Sequence, residues 1–226
     1  MNIKIRAKNC ISNYNPLAIH RRNKMVKRLQ NKDFSFLVPN CLGGMLLHDL
    51  SMPFLSPMVN LMLHQKDFVR FLLDIDYYLK QELCFYNDPY YVCPCAKLGE
   101  PDKEIIIHFT HYTSEEDADA NWKKRIKRIR WNNLFIFLMK RDGLSEKEII
   151  KVGSIKAKGL VVFTAHEYPD IPYACYIPKY KEQGQIGNVL VRSYLDDSKE
   201  YEKYFDFVKW FNEANGGNYD CKPYLL

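Results

Sequence analysis

Cys41 stands between Asn40 and the pair Gly43-Gly44, directly after the apolar run Phe34–Val38. A cysteine at the opening of a helix is a candidate nucleophile, because the helix amino terminus lowers a thiol pKa. Glycines let the backbone approach a ligand closely, and the amides of a helix opening at Met45 would face an anion. The turn is neither G-x-x-x-x-G-K-[ST] nor G-x-G-x-x-G, so it carries no nucleotide fingerprint. A tight strand-to-helix turn and a packed small residue are the ordinary readings of the same positions. His108, His111 and Tyr112 close a second apolar run, Glu104–Ile107. His111, past the strand end, can serve as a general base, since imidazole titrates near neutrality. His108 and His111 lack the Glu of H-E-x-x-H, and i and i+3 of an extended segment face opposite ways. No metal site is therefore expected from them, and His108 reads as a buried histidine. Arg141-Asp142-Gly143 follows Leu134–Met139, and Thr164, His166 and Glu167 follow Leu160–Phe163. The Arg141 fork can hold phosphate or carboxylate, while Asp142 and His166 can orient a substrate. Asp-Gly is equally ordinary turn chemistry.

These clusters share one property: each ends a run with strand character. In an open α/β sheet, ligands bind outside the carboxyl ends of the strands. The pattern predicts an α/β fold, a three-layer α/β/α arrangement around a mainly parallel central sheet. Runs such as Phe34–Val38 and Leu134–Met139 are apolar throughout, as strands covered on both faces require. Helices are expected from Pro16 to about Asn31, over Met45–Leu50, Lys66–Lys80, from Glu115 to about Arg130, and over Glu146–Val152 and Ser198–Ala214. Further strands are expected at Leu83–Tyr86, Tyr91–Ala96 and Val189–Tyr194. Thr113 with Glu116, or Ser114 with Asp117, can form the capping box that opens the helix of Trp122.

With 226 residues, 47% hydrophobic and 14% aromatic, the chain suits a single α/β domain over 1–226. No apolar run approaches the roughly 20 residues of a membrane span, and no signal-like segment opens the chain. Seven scattered cysteines fit a reducing, cytoplasmic setting. Cys93-Pro94-Cys95 is one residue short of C-x-x-C, so no zinc knuckle is expected. The net charge of +6 is unevenly spread. From Met1 to Lys32 there is no acid, and nine of the 33 Lys and Arg fall there, leaving 24 against 27 acids. This basic helical arm, about 1–32, could gather an anionic substrate or touch the anionic inner membrane surface; a solvated helix face is the plain alternative. Nucleic-acid binding is not expected, because no recognition motif accompanies the basic residues.

Asn40-Cys41-Leu42-Gly43-Gly44 through Ser56-Pro57, then His108-Phe109-Thr110-His111-Tyr112, the Glu115–Arg130 helix and Asn132-Asn133-Leu134-Phe135 form an ordered set. Over roughly residues 30–165 the set resembles an uncharacterised bacterial family often labelled exopolysaccharide biosynthesis proteins. The resemblance implies an α/β fold and a link to surface glycan production, and it brings no catalytic residue with it. Together these readings lead us to expect a transferase acting on a nucleotide sugar or a phosphate-bearing glycan precursor. In it Asn40, Cys41, Gly43, Gly44, Arg141 and His166 would bind the ligand, with His111 and Asp142 catalytic. The cofactor is left open. The competing expectation is a non-catalytic glycan- or partner-binding module docked through the basic arm.

Overall fold

The computed structural model describes residues 15–217 and 219–226. Lys4, Arg6 and Lys8 of the basic arm lie outside them. Asn15 opens helix α1 (Pro16–Arg28), its side chain accepting from the amides of Leu17 and Ala18 while Pro16 takes the first turn. Strand β1 (Ser35–Leu37) leads into helix α2 (Leu42–Asp49), then a long excursion follows. It comprises helices α3 (Gln65–Leu73) and α4 (Ile75–Tyr78), strands β2 (Leu83–Tyr86), β3 (Cys95–Leu98) and β4 (Ile105–His108), and helix α5 (Glu115–Ile126). The chain returns as β5 (Leu134–Met139), α6 (Glu146–Val152), β6 (Gly159–Thr164), β7 (Ala174–Tyr176) and α7 (Phe207–Glu213).

Four strands form a parallel sheet in the order β1-β5-β6-β7, and β2-β3-β4 form a separate antiparallel sheet. Period-two alternation explains how the parallel sheet is buried on both sides. Phe36, Phe135, Phe137, Val161 and Phe163 face one way, into an aromatic core with Leu46, Phe207, Trp210 and Phe211. Leu37, Leu134, Ile136, Leu160 and Val162 face the other, against Phe68, Phe71, Trp122, Ile149 and Val152. The fold is thus α/β with a parallel sheet at its centre and an antiparallel sheet beside it.

Several local expectations change. Helix α2 starts at Leu42, three residues before Met45, so Gly43 and Gly44 lie inside its first turn instead of in a preceding turn. Close packing explains Gly43: a Cβ there would sit 3.1 Å from Val38. The Lys66–Lys80 helix breaks at Asp74, whose extended φ of −138° ends α3. The Tyr91–Ala96 strand slides to Cys95–Leu98, after Pro94. Val189–Tyr194 joins no sheet; it folds back on Ser198–Tyr201 through the Ser193 to Ser198 and Tyr201 to Val189 amide bonds. Ser198–Ala214 is not one helix, because Asp206 caps a new one by accepting from the Lys209 amide. Ser114 caps α5 by accepting from Asp117, and Ser145 with Glu148 forms a capping box on α6. Among the described residues no helix is long and apolar enough to cross a membrane.

The arm's charge is partly engaged within the fold. Arg21 bonds Asp49 at 2.7 Å and Glu202 at 2.7 Å, and Arg28 pairs with Asp206. Buried Lys199 completes this cluster through Asp49 and Asp197.

Candidate active site

The carboxyl ends of β1 and β5 open onto a cavity of about 370 Å³. Asn40 and Cys41 line it from the end of β1, and Met139, Arg141 and Asp142 from the end of β5. Met62, Leu63 and His64 come from the segment leading into α3 and Gln65 from its first position, Tyr91 from the loop between β2 and β3, and Thr110 from just after β4. Gly187–Leu190 close the remaining side. They are held over the sheet by the Ile186 amide, which donates to the Lys140 carbonyl at 3.0 Å. Gln65 is buried, and its Oε1 accepts from the Met139 amide at 3.1 Å, which ties α3 to the strand end.

Cys41 occupies the N-cap of α2, and its Sγ lies 3.2 Å from His111 Nε2. Thr110 Oγ1 is 3.9 Å from the same sulfur. Burial, the largest single effect, would raise the thiol pKa. The hydrogen bond and positive charge of His111, with help from Thr110 and the cysteine's own amide, outweigh it and hold Cys41 below its ordinary value. His111 moves up, chiefly because it bonds Cys41, against the opposing pull of burial. The two shifts favour a thiolate beside an imidazolium, and the amino end of α2 favours negative charge at the same place.

Asn40 Oδ1 accepts from the Leu42 amide at 2.9 Å, so this side chain secures the first turn of α2. The cavity wall runs through Asn40 and Cys41, with Gly43 and Gly44 behind it in the helix. Arg141 uses Nε on Asp142, at 3.2 Å; its terminal nitrogens have no partner among the described residues. Asp142 takes a left-handed φ of 54° ahead of Gly143, so it shapes the turn as well as orienting Arg141. His166 is not brought in. It lies exposed beyond β6, and its ring faces the Gly184 turn.

His108 is buried, with Nδ1 3.4 Å from Cys95 Sγ and the Tyr91 ring centre 4.0 Å away at a tilt of 32°. Desolvation, with His64 nearby, lowers its pKa and keeps it neutral. Among the described residues no three His, Cys, Asp or Glu side chains gather as a metal site. His64, Gln65, Tyr91 and Asn188 line the cavity without a motif in the sequence to mark them; only tertiary folding brings them there.

A cysteine–histidine pair whose cysteine lines the cavity, a flanking arginine and a cavity large enough for a small ligand thus lie together at the ends of β1, β4 and β5. The chain is 40% identical over 188 residues to an uncharacterized protein of Haemophilus influenzae, which covers 83% of this chain and 88% of that one. Residues 13–212 match the model of the domain of unknown function DUF1919, and the chain belongs to that family.

Proposed function

We propose that the cavity is the active site of a cysteine-dependent transferase that carries an acyl group on Cys41. The observation that carries this reading is the 3.2 Å contact between Cys41 and His111, with their opposed pKa shifts. The Cys41 thiolate attacks the acyl carbonyl of an activated ester or thioester, and the collapsing tetrahedral intermediate expels the leaving group. The His111 imidazolium gives its proton to that leaving group. The neutral imidazole then takes the proton of an acceptor hydroxyl as its oxygen attacks the enzyme thioester. This releases the acylated acceptor and restores thiolate and imidazolium. Arg141 offers its terminal nitrogens to a carboxylate or phosphate on either partner, and Asp142 holds it in place. The resemblance to exopolysaccharide-labelled proteins supports a phosphate-bearing glycan precursor as the acceptor.

The test is acyl capture. The full-length protein is mixed with activated acyl esters, quenched in acid and digested, and each cysteine peptide is weighed by mass spectrometry. Acylation confined to Cys41, and absent from His111→Ala at neutral pH, supports the reading. Equal labelling of every exposed cysteine would refute it.

A further inference from the structure

The nucleophile and its base come from different sheets, and one short segment joins them. From Val59 to Leu63 the backbone makes a polar contact at four of its five residues. The Val59 carbonyl accepts from Tyr112 Oη at 3.3 Å and from Arg125 at 3.1 Å. Asn60 presents its carbonyl to the His111 amide at 3.3 Å and to Thr110 Oγ1 at 3.5 Å. Met62 exchanges two backbone bonds with His108, at 2.8 and 2.9 Å. The Leu63 amide donates to the Pro39 carbonyl at 2.9 Å, two residues past β1. The strap therefore runs from α5, past the base, to the residue two places before the nucleophile.

Asn60 is the unusual link. Its φ of 65° lies in the left-handed region, which asparagine tolerates better than most residues but which costs a β-carbon some strain. That conformation turns its carbonyl towards Thr110 and His111. Its side-chain Oδ1 faces the first turn of α2, 3.5 Å from where a Cβ on Gly44 would be. Strained backbone persists where the surroundings over-determine it, and such places gather at functional sites.

We propose that Asn60 is a positioning residue for the Cys41–His111 pair. Its left-handed backbone sets the direction of the carbonyl that fixes the His111 amide, and so the reach of the imidazole to the sulfur. The proposal rests on the thiol-dependent reading above, and the experiment separates the two. The full chain is treated with iodoacetamide between pH 5 and 10, and carbamidomethylation of Cys41 is followed by mass spectrometry, with circular dichroism to confirm the fold. Wild type, Asn60→Ala and Asn60→Gly are compared. Wild type inflects below an ordinary cysteine. Asn60→Ala, strained at φ 65°, moves the inflection upward, and alkylation at pH 7 slows about tenfold for each whole pH step that the inflection climbs. Asn60→Gly adopts the conformation freely and keeps the wild-type profile.

If alanine does not fold, Asn60→Ser gives the same contrast with Asn60→Gly and raises the inflection. A wild-type profile in the alanine or serine variant overturns the positioning role, as does loss in the glycine variant. An ordinary inflection in wild type itself overturns the dyad reading first, and the role of Asn60 with it.

Discussion

A thiol and an imidazole 3.2 Å apart can share one proton, and both pKa shifts move the pair towards the form that carries it on the ring. Cys41 is lowered, so it stays ionised on the acid side of an ordinary thiol; His111 is raised, so it stays charged further towards alkali. Both shifts widen the range in which thiolate and imidazolium coexist, towards acid through the sulfur and towards alkali through the ring. His111→Ala removes both the bond and the charge. We predict that the Cys41 alkylation inflection then rises towards that of free cysteine, and the same profile in both proteins would remove His111 from the pair. Asn40, Cys41, His111, Arg141 and Asp142 were legible as chemistry at strand ends, because residue types and position are written in the sequence. That Cys41 and His111 touch was not, since a distance between two sheets leaves no trace in spacing. His166 shows the reverse limit: a strand end marks an edge, and side-chain direction decides whether it faces the cavity.

Strands β5 and β6 and helix α6 could be read to within a residue, because uninterrupted apolar runs and a Ser-x-x-Glu cap leave few alternatives. Helix α2 and the carboxyl-terminal segment could not. The first turn of α2 contains two glycines, which local propensity places in a turn, yet close packing on Val38 favours Gly43 within the helix. The aromatic stripe Tyr201, Phe205, Val208 and Phe211 is buried as helical periodicity predicts, but Asp206 divides the helix beneath it. Glycine matters most at the start of β6. A Cβ on Gly159 would stand 2.7 Å from Phe135 and 2.8 Å from Trp210, inside the aromatic core. Gly159→Ala therefore forces the β5 phenylalanine and the α7 tryptophan apart. We expect a loss of about 1–3 kcal/mol in urea unfolding, the usual range for overpacking. Unchanged stability would mean that the aromatic core yields there.

Two cores, one on each face of the parallel sheet, give the whole molecule its stability, and a buried ionic cluster joins α1, α2 and the late loop. Lys199 is 1% exposed and Asp49 is 3% exposed. Burial would raise the Asp49 pKa, but the Lys199 charge and hydrogen bond, followed by Arg21, hold it below the ordinary value. Lys199→Met leaves Asp49 and Asp197 facing a dry side chain. The expected loss is about 3 kcal/mol, by analogy with broken buried pairs. Lys199→Met combined with Asp49→Leu should recover part of it, and equal stability of wild type and the single variant would count against the cluster. The basic arm read from composition is thus partly a structural element, since Arg21 and Arg28 close onto acids far along the chain. The separation of 70 residues between Cys41 and His111 has a consequence during synthesis. A nascent chain that has released Cys41 and not yet His111 carries a plain thiol with no cation beside it. The lowered thiol therefore appears only when the strap from Val59 to Leu63 has brought His111 to Cys41, and the reactivity of that cysteine reports on the joining of the two segments.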